Sequence, residues 1–272
     1  MQETQPGKAA SFRQLHLNKT LLILPNIWDA MGARMMELTG YPAVATASVS
    51  VAISNGYVDG EKIPFQQLLE VVKKISSRVV LPLTVDIEKG YASTISQLQE
   101  NIRQLLENGA VGINIEDSLS DQPGFRSLED QCRRIEAVRE TSLQYGVPIV
   151  INARTDLFLL KHPDAMNESI RRAKAYKLAG ADCVYPILIN NYQDIDQFIS
   201  QVEMPVNVNL LKPISDLRRL EQMGVARVSV GPQLLNHLLA TMKGLAEELI
   251  QYDTTGFFSR PLLSREFMDR LV

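Results

Sequence analysis

Cysteine and histidine are scarce in this chain, and the scarcity sets the first limits on what it can be. Among 272 residues there are two cysteines, Cys132 and Cys183, and three histidines. The cysteines form no C-x-x-C pair and suggest no disulfide framework, a usage that fits a reducing cytoplasm. No histidine or cysteine stands at the spacing a zinc centre needs. His16 and His237 fall within helical stretches and read as packing or surface residues, His162 as a solvated loop residue and Cys183 as core. Long apolar runs are missing as well: none approaches the ~18 residues of a membrane span. The opening "MQETQPGKAA" lacks the basic-then-apolar order of a secretory signal. There is no basic block, and the net charge of −3 argues against nucleic acid as a partner. The P-loop, H-E-x-x-H and G-x-S-x-G motifs do not occur. What remains, at 45% hydrophobic and 22% charged residues, is the composition of an ordinary soluble globular protein.

What is present is a repeated alternation. Short β-branched runs such as "LLILP" (21–25), "AVATAS" (43–48), "VVLPLTVDIE" (79–88), "VGINIED" (111–117) and "PIVINART" (148–155) are each followed by an amphipathic helical stretch, as are "CVYPIL", "PVNVNL" and "RVSVG" further on. Nearly continuous apolar strands are those of a parallel sheet covered on both faces. Eight such units in this length predict a closed (β/α)8 barrel, an α/β fold of one domain with its core over residues 20–252. A doubly wound open sheet is the alternative, but no G-x-G-x-x-G follows the first strand. Residues 253–272 lie beyond the eighth helix and carry exposed Phe and Leu, so a C-terminal helical segment that packs on, or swaps with, another subunit is expected.

In such a barrel the loops after the strands build the active site, so polar residues at strand ends are informative. Asn26, Trp28 and Asp29 follow the first run, Thr46, Ala47 and Ser48 the second, Asp86 and Glu88 the third, Glu116 and Asp117 the fourth, and Asn152, Arg154 and Asp156 the fifth. Asn207 and Asn209 share a face of the seventh; Asn207 and Trp28 are taken as candidates for substrate contact. Asp29, Asp117 and Asp156 suit helix caps or solvated strand ends equally well. Asp86, Glu88 and Glu116 extend otherwise apolar strands, and by strand alternation Thr84, Asp86 and Glu88 point the same way. Two like charges about 4 Å apart cost roughly 4 kcal/mol at an effective dielectric near 20, so a cation is expected between them. Oxygen-only ligands favour Mg²⁺ (or Mn²⁺), which keeps several waters and is completed by substrate oxygens.

The pieces "PNIWDAMGARMMELTGYPAVATAS", "SNGYVDGE", "DIEKGY", "GINIED", "INARTD" and "VSVG", in this order and spacing, resemble the phosphoenolpyruvate mutase/isocitrate lyase superfamily over residues 21–251. The resemblance implies a (β/α)8 barrel, usually tetrameric, with the C-terminal helix often exchanged between subunits; a homo-oligomer, tetramer or dimer, is therefore expected. It implies that Asp86 is the direct Mg²⁺ ligand and that Asp59, Glu88 and Glu116 hold the ion through water. Ala47 and Ser48 match the segment that receives the substrate carboxylate, and Arg154 the arginine that binds the substrate's anionic end. Asp86, Arg154 and Glu116 are accordingly the expected catalytic residues.

The loop after the fourth strand departs from the family. It reads "SLSDQPGFRSLED", without the Lys-x-Cys-Gly-His segment of isocitrate and methylisocitrate lyases or the Lys-Thr-Asn-Ser stretch of phosphonomutases. Glu88 also replaces the more usual Asp. The expectation is a Mg²⁺-dependent lyase or decarboxylase cleaving a C–C bond next to a small 2-oxo acid, through a pyruvate-like enolate. The alternatives are phosphonopyruvate-type P–C chemistry and a non-catalytic barrel that binds a dicarboxylate.

Overall fold

The computed structural model of the chain describes residues 3–119 and 124–272. The chain opens on a helix the sequence reading had left outside the barrel, α1 (Gln5–Leu17), whose Thr4 hydroxyl accepts the Gly7 amide and whose first turn holds Pro6. Its Ala9 and Phe12 are fully buried. Gln5 donates to the carbonyls of Leu106 and Ala110, and Arg13 pairs with Asp182 at 2.8 Å while reaching the carbonyls of Pro148 and Ile149. These partners precede three consecutive strands, so α1 lies across the amino ends of that part of the barrel. His16, on the same helix, is buried and bonded to the Phe12 carbonyl; burial and nearby Arg227 push its pKa down to about 4, so it packs as a neutral ring.

The eight strand–helix units follow. The first strand is split by Pro25 into β1 (Leu22–Leu24) and β2 (Asn26–Ile27); the others are β3 (Val44–Thr46), β4 (Leu83–Asp86), β5 (Gly112–Glu116), β6 (Val150–Thr155), β7 (Cys183–Pro186), β8 (Asn207–Asn209) and β9 (Arg227–Ser229). Between them run α2 (Ala30–Thr39), α3 (Ser48–Ser54), α4 (Phe65–Ser76), α5 (Ile95–Glu107), α6 (Leu128–Tyr145), α7 (Ala165–Leu178), α8 (Tyr192–Gln201) and α9 (Leu217–Gln222), with α10 (Gln233–Ile250) after β9. Gly40 and Gly146 end α2 and α6 in the left-handed conformation, as the sequence predicts.

All pairings are parallel, and the hydrogen bonds form two arcs, β2-β3-β4-β5-β6-β7 and β1-β9-β8. An isolated bridge, Val184 to Val206, links β7 to β8. At the other junction Pro25 has no N–H to give. The Asn26 side chain spans the gap: its Nδ2 donates to Thr46 O at 2.8 Å, and its Oδ1 accepts the Val230 and Gly231 amides at 2.9 Å. The strand order is therefore that of the (β/α)8 barrel, with a ladder that is not continuous.

Strand alternation sorts the side chains. Val85, Ile113, Ile151, Val184, Val208 and Val228 enter the apolar clusters packed with the helices. Their neighbours Asp86, Asn114, Asn152, Asn207, Arg227 and Ser229 turn the other way, so much of the lumen is polar. Beyond α10 lie two short helices, α11 (Thr255–Ser259) and α12 (Arg265–Asp269), with Phe258 77% and Leu262 84% exposed. No described helix is long and apolar enough to cross a membrane.

The seating of α1 gives a stability test. A Cβ on Gly112 would lie 2.7 Å from Phe12 Cε1 and 2.8 Å from Thr84 Cβ, both inside van der Waals contact. Gly112→Ala should therefore destabilise the protein by roughly 1–3 kcal/mol, the usual cost of overpacking, seen as a lower urea midpoint. An unchanged midpoint would show that α1 does not press on β5 in this way.

Candidate active site

The β4, β5 and β6 register sets Asp86 beside Asn114 and Asn114 beside Asn152. The side chains repeat the pairing: Asn152 Nδ2 donates to Asn114 Oδ1 at 2.8 Å, and Asn114 Nδ2 donates to Asp86 Oδ1 at 2.9 Å. The other Asp86 oxygen accepts the Ser48 amide at 3.3 Å, at the start of α3. Asp86 thus has a fixed orientation in a cavity of about 110 Å³, walled also by Ala47, Ser48, Asp59, Arg154, Tyr185 and Arg227.

Glu88 is oriented differently from the sequence reading. The strand ends at Asp86, and Glu88 has φ +49°, so the shared face of Thr84 and Asp86 does not extend to it. Both Glu88 oxygens accept the Glu61 amide, at 2.9 and 2.8 Å, and one accepts the Tyr91 hydroxyl at 3.0 Å. Burial, reinforced by Asp59 and Asp86, raises its pKa to about 7. Asp59 is raised as well, by burial and by Asp86, with a hydrogen bond from Ser48 working the other way.

Glu116 shows the opposite balance. Burial acts to raise its pKa, but Arg154 at 2.8 Å and Lys89 at 3.0 Å outweigh burial and hold it below the usual carboxylate range. Arg154 is shared with Asp156 at 2.6 Å. Asp156 is raised to about 6, chiefly by burial.

The remaining expectations separate cleanly. Ala47, Ser48, Asp59, Asp86 and Arg154 meet in the cavity wall. Glu88 and Glu116 stand behind them, joined through Lys89. Trp28 packs against the apolar core and is not among the wall residues, and Asn207 is fully buried, exchanging hydrogen bonds with Ser229. In this structure both hold supporting positions, because strand ends also supply core packing and lumen layers. Asp29 caps α2 through the Gly32 amide, and Asp117 is bound by Arg172 and Tyr176. Of the loop at 118–126, residues 120–123 lie outside the described ones; its ends are joined by a Ser118–Phe125 bridge. Sequence reasoning gave no role to Lys89, Asn114, Tyr185, Arg227 or Ser229. For the last two the signal was present: in "RVSVG" polar residues alternate with valine, the pattern of a strand with a polar inner face.

Five carboxylates (Asp59, Asp86, Glu88, Glu116, Asp156) meet three cations (Lys89, Arg154, Arg227) here. Fully ionised, these eight side chains fall two positive charges short, and the neighbouring carboxylates add to the burial that chiefly raises Asp59 and Glu88. One divalent ion would make up the difference. Among the described residues no three His, Cys, Asp or Glu side chains form a cage for an ion. A hydrated ion with few direct protein ligands fits this arrangement; a closed zinc-type site does not.

A family model described as phosphoenolpyruvate phosphomutase matches residues 12–250. The 2-methylisocitrate lyase of Escherichia coli is 29% identical over 213 residues, covering 75% of this chain and 70% of that one. A solved Burkholderia cenocepacia structure, provisionally assigned as a phosphonomutase, superposes with a TM-score of 0.86 at 34% identity, over 90% of this chain and 99% of its own. A phosphonopyruvate hydrolase solved with oxalate and Mg²⁺ shares the fold, with a TM-score of 0.86 at 18% identity over 97% of this chain and 94% of its own.

The charge shortfall predicts a pH dependence. A carboxyl whose folded pKa is raised stabilises the fold fully below its unfolded pKa and loses that contribution as pH rises through the folded value. For Glu88, raised from 4.5 to about 7, stability without divalent metal should fall across that window by on the order of 3 kcal/mol. Glu88→Gln, still able to accept the Glu61 amide, should flatten the fall. Urea denaturation in EDTA at pH 5 and pH 8 measures it, and identical slopes for both proteins would show that Glu88 is not the crowded group.

Proposed function

The chain belongs to the phosphoenolpyruvate mutase/isocitrate lyase superfamily, and from that premise we propose that it is a Mg²⁺-dependent lyase or decarboxylase cleaving a C–C bond next to a small 2-oxo acid, through a pyruvate-like enolate. The observation that carries the reading is Asp86, oriented by Asn114 and Ser48 in a cavity that Asp59 and Arg154 also wall. The Escherichia coli relative is a 2-methylisocitrate lyase, and the phosphonopyruvate hydrolase of the same fold was solved in complex with oxalate and Mg²⁺.

Asp86 is assigned as the direct ligand of Mg²⁺ (Mn²⁺ being the alternative), and Asp59, Glu88 and Glu116 as ligands through water. Bound there, the ion supplies positive charge to the oxygen of a developing enolate. Ala47 and Ser48 line the same cavity and are assigned to receive the substrate carboxylate. Arg154 is locked in orientation by Glu116 and Asp156, so its planar edge is preset for an anionic group. In a decarboxylation the electrons of the breaking bond pass to the oxo oxygen as CO₂ leaves, and no acid is required at that step. This suits a site whose loop at 118–126 offers no Cys, Lys or His. P–C bond chemistry is the second reading, favoured by the likeness to the Burkholderia structure.

Asp86→Ala should abolish Mg²⁺–oxalate binding by calorimetry while leaving the fold intact, and the wild type with Mg²⁺ should turn over oxaloacetate but not 2-methylisocitrate. Retained Mg²⁺–oxalate binding in Asp86→Ala refutes the ligand assignment. Efficient cleavage of 2-methylisocitrate overturns the substrate reading, and phosphate release from phosphonopyruvate alone selects the second.

The tail extends the proposal to assembly. Its apolar residues, with Ile250 79% exposed on α10 and Phe258 and Leu262 beyond it, are assigned to contacts in a homo-oligomer. Truncation after Asp253 should lower the mass found by light scattering or precipitate the protein. A soluble truncation of unchanged subunit number would show the tail to be dispensable.

A further inference from the structure

We propose that Arg227 binds a second anionic group of the substrate on the β8–β9 side of the cavity, which makes the preferred ligand a short dianion. The inference rests on the 2-oxo acid reading of this site and adds to it the substrate's charge and a residue that reads it.

The argument starts from how the two arginines in the cavity wall are satisfied. Arg154 meets Glu116 at 2.8 Å and Asp156 at 2.6 Å, so its charge is balanced before any ligand arrives. Arg227, 2% exposed as the first residue of β9, makes no ion pair among the described residues. Among the described residues its side chain makes one hydrogen bond, from Nε to Ser229 Oγ at 3.2 Å, and Nη1 is buried without a partner.

A buried guanidinium with open donors and no direct ion-pair partner is costly, and such groups are normally paired. The groups around it do not pair with it: Cys183 and Tyr185 are both raised by burial, so both are neutral thiol and phenol near neutral pH, and Asp86 is engaged by Asn114 and Ser48. Ser229 is in turn held by Asn207, which fixes the Nε contact and the plane of the guanidinium. Arg227 and Asp86 wall the same small cavity. A ligand whose 2-oxo acid end lies toward Asp86 can therefore present a further carboxylate or phosphonate to Arg227, and the planar fork suits either.

Two ligands separate this from a structural role. Oxalate carries the 2-oxo acid mimic alone, whereas non-enolisable 3,3-difluorooxaloacetate adds a distal carboxylate. By calorimetry with Mg²⁺, Arg227→Gln should bind oxalate as the wild type does and lose roughly 10- to 100-fold in affinity for difluorooxaloacetate, the range for one charged hydrogen-bonded contact. Arg227→Lys, which keeps the charge if the Gln variant fails to fold, should show a smaller selective loss. Phosphonopyruvate tells whether the second group is phosphonate: a larger loss for it than for difluorooxaloacetate selects phosphonate. Equal weakening of oxalate and difluorooxaloacetate, or no change in either, overturns the proposal. Since binding is read, a wild type that binds both ligands selectively yet turns over nothing removes the lyase reading and leaves this one.

Discussion

Glu116 lies between Lys89 and Arg154, at 3.0 and 2.8 Å, and the rest of the cavity is arranged around that contact. It fixes Arg154 against β5 and draws the Lys89 ammonium inward, where it also comes within 4.0 Å of Glu88. One edge of the carboxylate group is thereby neutralised by the protein itself. The other edge, Asp59 and Asp86, is not, and its excess negative charge faces the cavity. Charge inside a protein is felt more strongly than in water, so this asymmetry separates the edge where a cation would be held from the carboxylates that are already satisfied.

The barrel itself was largely readable from the sequence. Eight apolar runs alternate with helical stretches, and all the described strands but β2 fall within those runs. They are shorter than the runs because apolar residues continue into loops that pack under helices, as Val79 does before β4. Helix α1 was not readable as part of the barrel. Its apolar residues are few, and what seats it is a set of long-range bonds from Gln5 and Arg13 to carbonyls that no periodicity reveals.

The site divides along the same line. Asp86 and Arg154 were legible because a charged residue closing an apolar strand needs a reason. Glu88 was placed on the wrong face because alternation presumes an extended backbone, and one residue with positive φ cancels it. Asn207 was read as a contact and Arg227 given no role, although they lie side by side in register. Which lumen residue reaches a cavity depends on depth along the strand and on side-chain length, and neither is encoded in polarity.

The bond set around Asn26 bears on how the barrel comes apart. The strand split at Pro25 pairs with β9 through β1 and with β3 through β2, and beyond the split one amide side chain ties Thr46 to the turn after β9. Solvent therefore reaches the amides of Val230 and Gly231 through the rotation of a single side chain, while the interior of the six-stranded arc exchanges through larger, cooperative openings. The barrel has a grain, like split timber, and Gly231 and Pro232 in the cavity wall lie along it. The turn after β9, in the cavity wall, thus opens by a local step and not a cooperative one.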